Sequence, residues 1–516
     1  MTDLTRRRQL LILATVCLAA FAINLDTTIV NVALPDLGRE LGATTRDLQW
    51  IVDGYNLAFA ALVLTAGSLG DRFGRRPALL AGLAGFALAS GIGAAMTSAS
   101  GLIAVRFVMG ASAAVIFPTT LSIITNAFPD RGERAKAIGL WGAVTGLGVA
   151  IGPVTGGLLL AHFGWPSVFV ALVPVALVAL AATWLWVPES SNPGEARLDV
   201  PGLMLSTAAI GLLVYTIIEA PSRGWSSPAS LGGFAGAAVL VAAFVTVERR
   251  RARPMIDVTL FRTPAFSAAS ASVTLAFFAL FGFIFLVTQY FQFMRGFGTL
   301  STGVRILPVA ITIAIGSVGG VALASRIGTR AVVASGLVLL SSAFGWIALS
   351  STFMPYDRIV GQMVLIGLGL GLTTAPATES ILSVLPPAKA GVGSAVNDAT
   401  REAGGTLGVA VLGSIFTSLY ANHLSTTAFH ELPSHTVSAA QNSVAAALAT
   451  VGHAPAAAQQ RLLDGVQASF MTGFHTASLV AFGIGLAGAA GALLLPGRGH
   501  RAPADTVPAQ AELVPA

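Results

Sequence analysis

Runs of about 20 apolar residues, enough for a helix to cross the roughly 30 Å of hydrocarbon in a bilayer, recur along this chain with short polar breaks between them. Backbone N–H and C=O groups find no water in hydrocarbon, so each run must close its hydrogen bonds internally as a helix. Fourteen runs are readable, near 9–34, 49–70, 78–97, 100–124, 137–160, 166–187, 200–219, 229–247, 266–291, 302–323, 330–350, 358–384, 392–419 and 470–495. The expected fold class is an all-α polytopic membrane protein with 14 transmembrane helices. A composition of 54% hydrophobic and 10% charged residues excludes a soluble globular domain. The first run follows Arg6, Arg7 and Arg8, contains Asn24 and Asp26, and ends without a small-residue cleavage site. It is expected to stay as the first span and not to be removed as a signal peptide.

An even number of spans places both termini on one side, and charge tells which. The sharpest marker is Gly67-Ser68-Leu69-Gly70-Asp71-Arg72-Phe73-Gly74-Arg75-Arg76, a short basic hairpin between two apolar runs. On its side fall Arg6 to Arg8, Arg131, Arg134, Lys136, Arg197, Arg249 to Arg251, Arg253, Arg262, Arg326, Arg330, Lys389, Arg498 and Arg501. The opposite loops keep Arg39, Arg46, Arg223, Arg295, Arg305, Arg358 and Arg461. That bias of about three to one predicts a multi-pass protein of the cell membrane with both termini cytoplasmic. The net charge of +6 is accounted for as orientation signal, and no nucleic-acid partner is expected.

Several chemistries are excluded. Cys17 is the only cysteine and lies inside the first run, so neither a disulfide framework nor a cysteine metal site is expected. The only lysines, Lys136 and Lys389, do not follow glycine, and a phosphate-cradling loop needs Gly-Lys-Ser/Thr. Energy must then come from an ion gradient or a partner. His430-Glu431-Leu432-Pro433-Ser434-His435 spaces its histidines five apart with a proline between them, whereas a helical zinc pair needs four. No metal, no cofactor and no catalytic residue is expected. Nothing in the sequence identifies an obligate protein partner.

An internal repeat appears at an offset of about 255 to 260 residues, the signature of a transporter built from two halves. Leu147-Gly148-Val149-Ala150 recurs as Leu407-Gly408-Val409-Ala410, and Phe117-Pro118-Thr119 has an echo in Ala375-Pro376-Ala377. Arg72 to Arg76 is answered by Arg326-Ile327-Gly328-Thr329-Arg330, with Ser325 in place of Asp71. Two six-helix bundles, 1–190 and 263–496, are expected around an inserted helix pair with its linkers at 191–262. A long, Ala-rich extracytoplasmic loop at 421–469 and a disordered tail at 497–516 complete the expected organisation.

The hairpin from Gly67 to Arg76 resembles the loop motif between helices two and three of the major facilitator superfamily. Leu25-Asp26-Thr27-Thr28-Ile29-Val30-Asn31-Val32-Ala33-Leu34-Pro35 resembles the helix-one motif of its drug:proton antiporters. Leu102 to Gly110, with Arg106 inside, is similar to their helix-four motif, and Gly146 to Gly157 to their helix-five antiporter motif. With fourteen spans, the resemblance points to the EmrB/QacA-like branch of multidrug exporters. It implies a major facilitator fold and a proton-coupled antiporter that exports lipophilic, often cationic compounds by alternating access. Small lipophilic substrates, protons and the lipid bilayer are the implied partners. Export of one endogenous metabolite is the alternative; a membrane sensor and an embedded enzyme are remoter ones.

Candidate residues follow from where charge lies in apolar spans, since an ionisable group at the bilayer centre costs about 2.5–3.5 kcal/mol on insertion scales. Asp26, Asp53 and Arg106, all in the first half, are read as sharing a polar cavity, and Glu379 as a second-half candidate. Asp398, Arg401 and Glu402 fall on one helix face and read as a local salt-bridge cluster. In the hairpin, Gly67, Asp71, Arg72, Gly74, Arg75 and Arg76 are expected to act in conformational change. In the helix-five segment, Gly148, Gly152 and Gly156 leave one face as bare backbone, with Pro153 and Gly157 beside it, suiting a seal that forms and breaks. Of Phe21, Phe59, Phe117, Trp141, Phe277, Phe281, Phe285 and Phe291, one or two are expected to line a substrate cavity.

Overall fold

The computed structural model describes residues 5–191, 199–251, 258–383 and 390–495. The expected tail at 497–516, Arg197 and Lys389 lie outside the described residues. The helices are α1 (Arg6–Glu40), α2 (Thr45–Phe73), α3 (Arg75–Ala94), α4 (Ala99–Ala127), α5 (Arg131–Phe163), α6 (Pro166–Val170), α7 (Leu172–Trp186), α8 (Val200–Arg223) and α9 (Pro228–Arg250). There follow α10 (Pro264–Gln289), α11 (Thr299–Ile327), α12 (Thr329–Ile347), α13 (Tyr356–Ser383), α14 (Ala390–Leu424), α15 (Ser434–Asn442), α16 (Val444–His453) and α17 (Ala456–Gly491).

Among the described residues 13 helices are long and apolar enough to cross a membrane, with Pro166–Trp186 counting as one. The 29-residue α2 stands outside that number and packs among α1, α3, α4 and α14. Local chemistry sets several starts. Thr44 and Asp47 form a reciprocal capping box at α2, and Asp130, Asp199 and Ser98 cap α5, α8 and α4 through their side chains. The two related hairpins turn the same way: Gly74 ends α2 at φ +114° and Gly328 ends α11 at φ +93°, a backbone region that favours glycine. That agreement is the structural counterpart of the repeat between residues 72–76 and 326–330.

Helix pairings repeat as well. In the first bundle α1 packs on α5, α2 on α4, and α3 on both α4 and α7. The second bundle matches each: α10 on α14, α11 on α13, and α12 on both α13 and α17. The pair α8–α9 lies outside both sets, with α8 touching α2 and α14. The 421–469 segment departs from a simple loop. It is mostly helical, because α14 continues to Leu424, α15 and α16 follow, and α17 begins at Ala456 rather than near 470. Its alanine content supplies the helix propensity, and buried Phe429 together with the Tyr420 hydroxyl bonded to Ala440 O holds it down.

The bundles meet most closely at the end away from the Asp71 hairpin, the far end below. There α5 presses on α11 and α2 on α14. A methyl group at Gly303 would run into Pro153 O, and one at Gly157 would come within 2.6 Å of Leu300 Cα and Thr299 O. Three side chains bond across to the opposite backbone: Gln49 to Val409 and Ala410 O at 3.3 and 3.2 Å, Gln292 to Val32 O at 2.9 Å, and Thr299 to Gly157 O at 3.2 Å. The bare face of Gly148, Gly152 and Gly156, expected at such a seal, instead packs on α1 against Phe21, Thr28 and Ile29. One helix therefore has two working sides, the glycine stripe fixing α5 to its own bundle and Pro153 with Gly157 meeting the other.

Because Gly303 has no room for a side chain, Gly303→Ala is expected to lift α11 off α5. Overpacking of about 1–3 kcal/mol corresponds to roughly tenfold or more in the open population. In a Cys17→Ser background, a cysteine at buried Thr302 should then react about tenfold faster with an impermeant maleimide; unchanged labelling would show that this approach does not hold the seam.

Candidate functional site

Arg106 is buried, 1% exposed, and its position on α4 follows from how closely α4 approaches α2. Gly110 leaves no gap for a side chain against Tyr55 O, and Gly54 lies against the Phe107 ring. The guanidinium then spans three helices. Nε donates to Ile51 O at 2.9 Å, and Nη1 donates to both oxygens of Asp26 at 2.9 and 2.7 Å. Its charge lies 4.3 Å from the centre of the Tyr55 ring, whose hydroxyl donates to Ile23 O at 3.5 Å. Asp26 itself is fully buried. Two of the sequence candidates are thus brought together as an ion pair fastening α1, α2 and α4.

Asp53 is not brought to that pair. It is fully buried on α2, and neither carboxylate oxygen has a hydrogen-bond partner among the described residues. One turn away, Gln49 donates into α14, reaching Ser414 Oγ at 3.3 Å as well as the two carbonyls.

A cavity lies between the bundles, on the hairpin side of the closed seam. Asn24, Thr27, Phe59, Phe117 and Val149 line it from the first bundle, and Phe277, Leu280, Phe281, Asp398, Arg401 and Glu402 from the second. Its interior is only about 30 Å³, room for water and not for a drug-sized molecule. Arg401 is loosely held: Nη1 is 3.8 Å from Asp398 Oδ1, the guanidinium stacks 4.6 Å from the Phe277 ring centre, and Nε has no hydrogen-bond partner. Glu402 Oε2 is likewise without a hydrogen bond. Two carboxylates against one guanidinium leave the cavity a surplus acidic group.

Sequence reading and structure part company here. Asp398, Arg401 and Glu402, read as a local salt-bridge cluster, do hold a loose Asp398–Arg401 pair, but they also line the cavity. Glu379 is exposed on α13 and does not line it. Four phenylalanines from the candidate set line the cavity instead of one or two, and Trp141 stands behind them, 4.9 Å from Phe117 with its indole N–H on Thr120 Oγ1 at 3.1 Å. Asn24 and Thr27 were missed as lining residues, although polar side chains one turn apart in an apolar span were a signal.

At the hairpin, Arg75 N–H donates to Ser190 O at 2.9 Å and Arg76 Nη2 to Trp184 O at 2.6 Å, tying the turn to the end of α7, while Arg72 is exposed. Gly67 and Asp71 fall in the last two turns of α2, and the surroundings of both lie outside what is described.

Described residues whose elements are all helices, in two repeated six-helix bundles around a cavity with aromatic walls and a few charged groups, have the architecture of a membrane transporter. Residues 16–409 match the Major Facilitator Superfamily, and the chain belongs to that family of secondary transporters and is not an enzyme. The multidrug efflux pump LfrA of Mycolicibacterium smegmatis is 35% identical over 95% of this chain and 96% of its own. The tetracenomycin C resistance and export protein of Streptomyces glaucescens is 35% identical over 79% of this chain and 76% of its own. Among solved structures, a bacterial homologue of the human lysosomal transporter Spinster, inward-facing and unoccupied, superposes with a TM-score of 0.66. At 15% identity over 95% of this chain and 98% of that one, it shows the fold alone.

Removing one partner of a buried ion pair strands the other, which costs about 3–5 kcal/mol. Asp26→Asn should therefore lower the unfolding free energy in detergent by about that amount, and Asp26→Leu with Arg106→Met should recover part of it. A parent-like Asp26→Asn melt would show that the pair does not fasten the three helices.

Proposed function

We propose that this transporter exports lipophilic, often cationic, drugs or toxic compounds across the cell membrane in exchange for protons, by alternating access. In this reading it is a fourteen-span exporter of the EmrB/QacA-like branch with both termini and the hairpin end in the cytoplasm. Residues 1–190 and 263–496 form the rocking bundles, and 191–262 supplies the inserted pair with its linkers. The observation that carries the reading is the inter-bundle cavity, where phenylalanine walls meet Asp398, Arg401 and Glu402 with one carboxylate in excess. Aromatic and apolar walls with a few polar groups suit amphiphilic molecules, and the surplus acid suits a cation. The relatives named for multidrug efflux and for export of tetracenomycin C support outward transport of such compounds.

Proton exchange has the needed energy. A membrane potential supplies about 2.3 kcal/mol per charge per 100 mV, so one proton entering under about 150 mV sustains roughly a few-hundredfold gradient of a neutral drug. Asp53 is the proposed proton carrier, because a fully buried carboxylate with no hydrogen-bond partner among the described residues is far cheaper to hold neutral than charged. Asp26 and Arg106 position the helix that presents it. Glu379 and the hairpin residues, including Asp71, are assigned to conformational change at the cytoplasmic end. A dedicated exporter of one compound is the second reading, favoured by the tetracenomycin relative.

In proteoliposomes with an imposed pH gradient, drug extrusion should stop when a protonophore collapses the gradient and the potential; undiminished extrusion would refute proton coupling. Resistance to chemically unrelated compounds would separate the two export readings. Charge-assisted contacts contribute about 1.5–3 kcal/mol, so Glu402→Gln should weaken binding of a lipophilic cation by about tenfold or more. A neutral compound should bind unchanged; equal loss for both would place Glu402 outside cation recognition.

A further inference from the structure

The inserted helix α8 runs along the outside of the seam between α2 and α14, and its two contacts differ in kind. Toward α14 it is apolar and continuous: Val214, Ile217 and Ile218 are buried in one cluster with Ala410, and Leu407 and Val411 pack onto it. Near its end, Trp225 Nε1 donates to Ser418 Oγ at 3.1 Å. Toward α2 the contact is narrow. Trp50 is the α2 residue in that cluster, its ring 6.2 Å from Tyr215, and half-exposed Arg46 pairs with Glu219 at 3.3 Å. An ion pair with one partner 43% exposed is weak and can part, whereas apolar interdigitation does not part without leaving a void.

Behind this seam lies Asp53. Successive residues turn by about 100° around a helix, so Asp53 projects from α2 between the bearing of Gln49, which bonds to α14, and that of Arg46, which bonds to α8. α8 and α14 together therefore cover the face on which a fully buried, unbonded carboxylate sits. The charged and titratable groups on the elements packed against this part of α2 are Arg46, Asp47 and Tyr55 on α2 itself, Tyr215, Glu219 and Arg223 on α8, Asp398, Arg401 and Glu402 on α14, Asp26 on α1 and Arg106 on α4, and none of them hydrogen-bonds Asp53. Arg46, Glu219 and Arg223 form one network, and Arg106 is committed to Asp26.

We propose that α8 is a lateral door, carried by α14 and closing on the first turns of α2, that walls Asp53 off from lipid and water when the far end is shut. When the bundles part at that end, α8 leaves with α14, the Arg46–Glu219 pair breaks, and the Asp53 face opens. The inserted pair thus belongs mechanically to the second bundle. The inference rests on alternating access as proposed above, but its readout needs neither substrate nor proton gradient, so it fails separately from the export reading.

The full chain in liposomes, with Cys17→Ser, can carry spin labels at exposed Arg39, Ser222 and Asn422, which report the first bundle, α8 and α14 respectively. Gly413→Leu serves as a wedge, since a side chain at Gly413 would collide with the Gln49 amide; Gly413→Ala is the milder second variant. The expected result is that the 39–222 distance lengthens by about 5 Å or more, close to one helical pitch, while 222–422 stays fixed. Lengthening of 222–422, or no change in either distance in both variants, would overturn the proposal.

Discussion

A guanidinium in hydrocarbon must find all its partners inside the protein, and Arg106 finds them on two other helices. Its donors go to Asp26 on α1 and to Ile51 O on α2, and its charge rests against the Tyr55 ring. The three helices are consequently fixed in register toward the starts of α2 and α4, where small residues such as Gly54 and Gly110 let the two touch. The rest of the first bundle is arranged around that knot. Thr27, one residue along from Asp26, lines the cavity, as do Asn24 and Phe59, because the knot turns α1 and α2 in those directions.

The division of labour among the acids follows. Asp26 is spoken for by Arg106, whereas among the described residues both oxygens of Asp53 and Oε2 of Glu402 are buried without a hydrogen bond. These lie on the two helices that face one another, α2 and α14. A transporter needs such asymmetry: some charges neutralised permanently to hold the scaffold, others left under-bonded so that a proton or a cation changes their energy.

Much of this was legible in the sequence. Apolar run lengths gave the helices, and the echo between Arg72–Arg76 and Arg326–Arg330 anticipated the shared glycine turn at 74 and 328. Intramembrane charge singled out Asp26, Asp53 and Arg106, yet only packing could tell that two of them pair and the third stands alone. Periodicity put Asp398, Arg401 and Glu402 on one face without saying which way it turned; on that ground they looked like a self-contained cluster. Residue spacing likewise found the glycine stripe of α5 but could not say that it faces α1, since a bare face fits any close neighbour. The 421–469 segment read as a loop because polar residues interrupt its hydropathy, although its alanines favour helix.

At the far end, the bonds that cross between bundles come from Gln49, Gln292 and Thr299, laid over close backbone contacts at Gly157 and Gly303. Amides and hydroxyls do not titrate, and their attraction is not eroded by dissolved electrolyte as that of exposed ion pairs is. The grip of these three side chains therefore changes little whether the medium outside is acidified, saline or dilute.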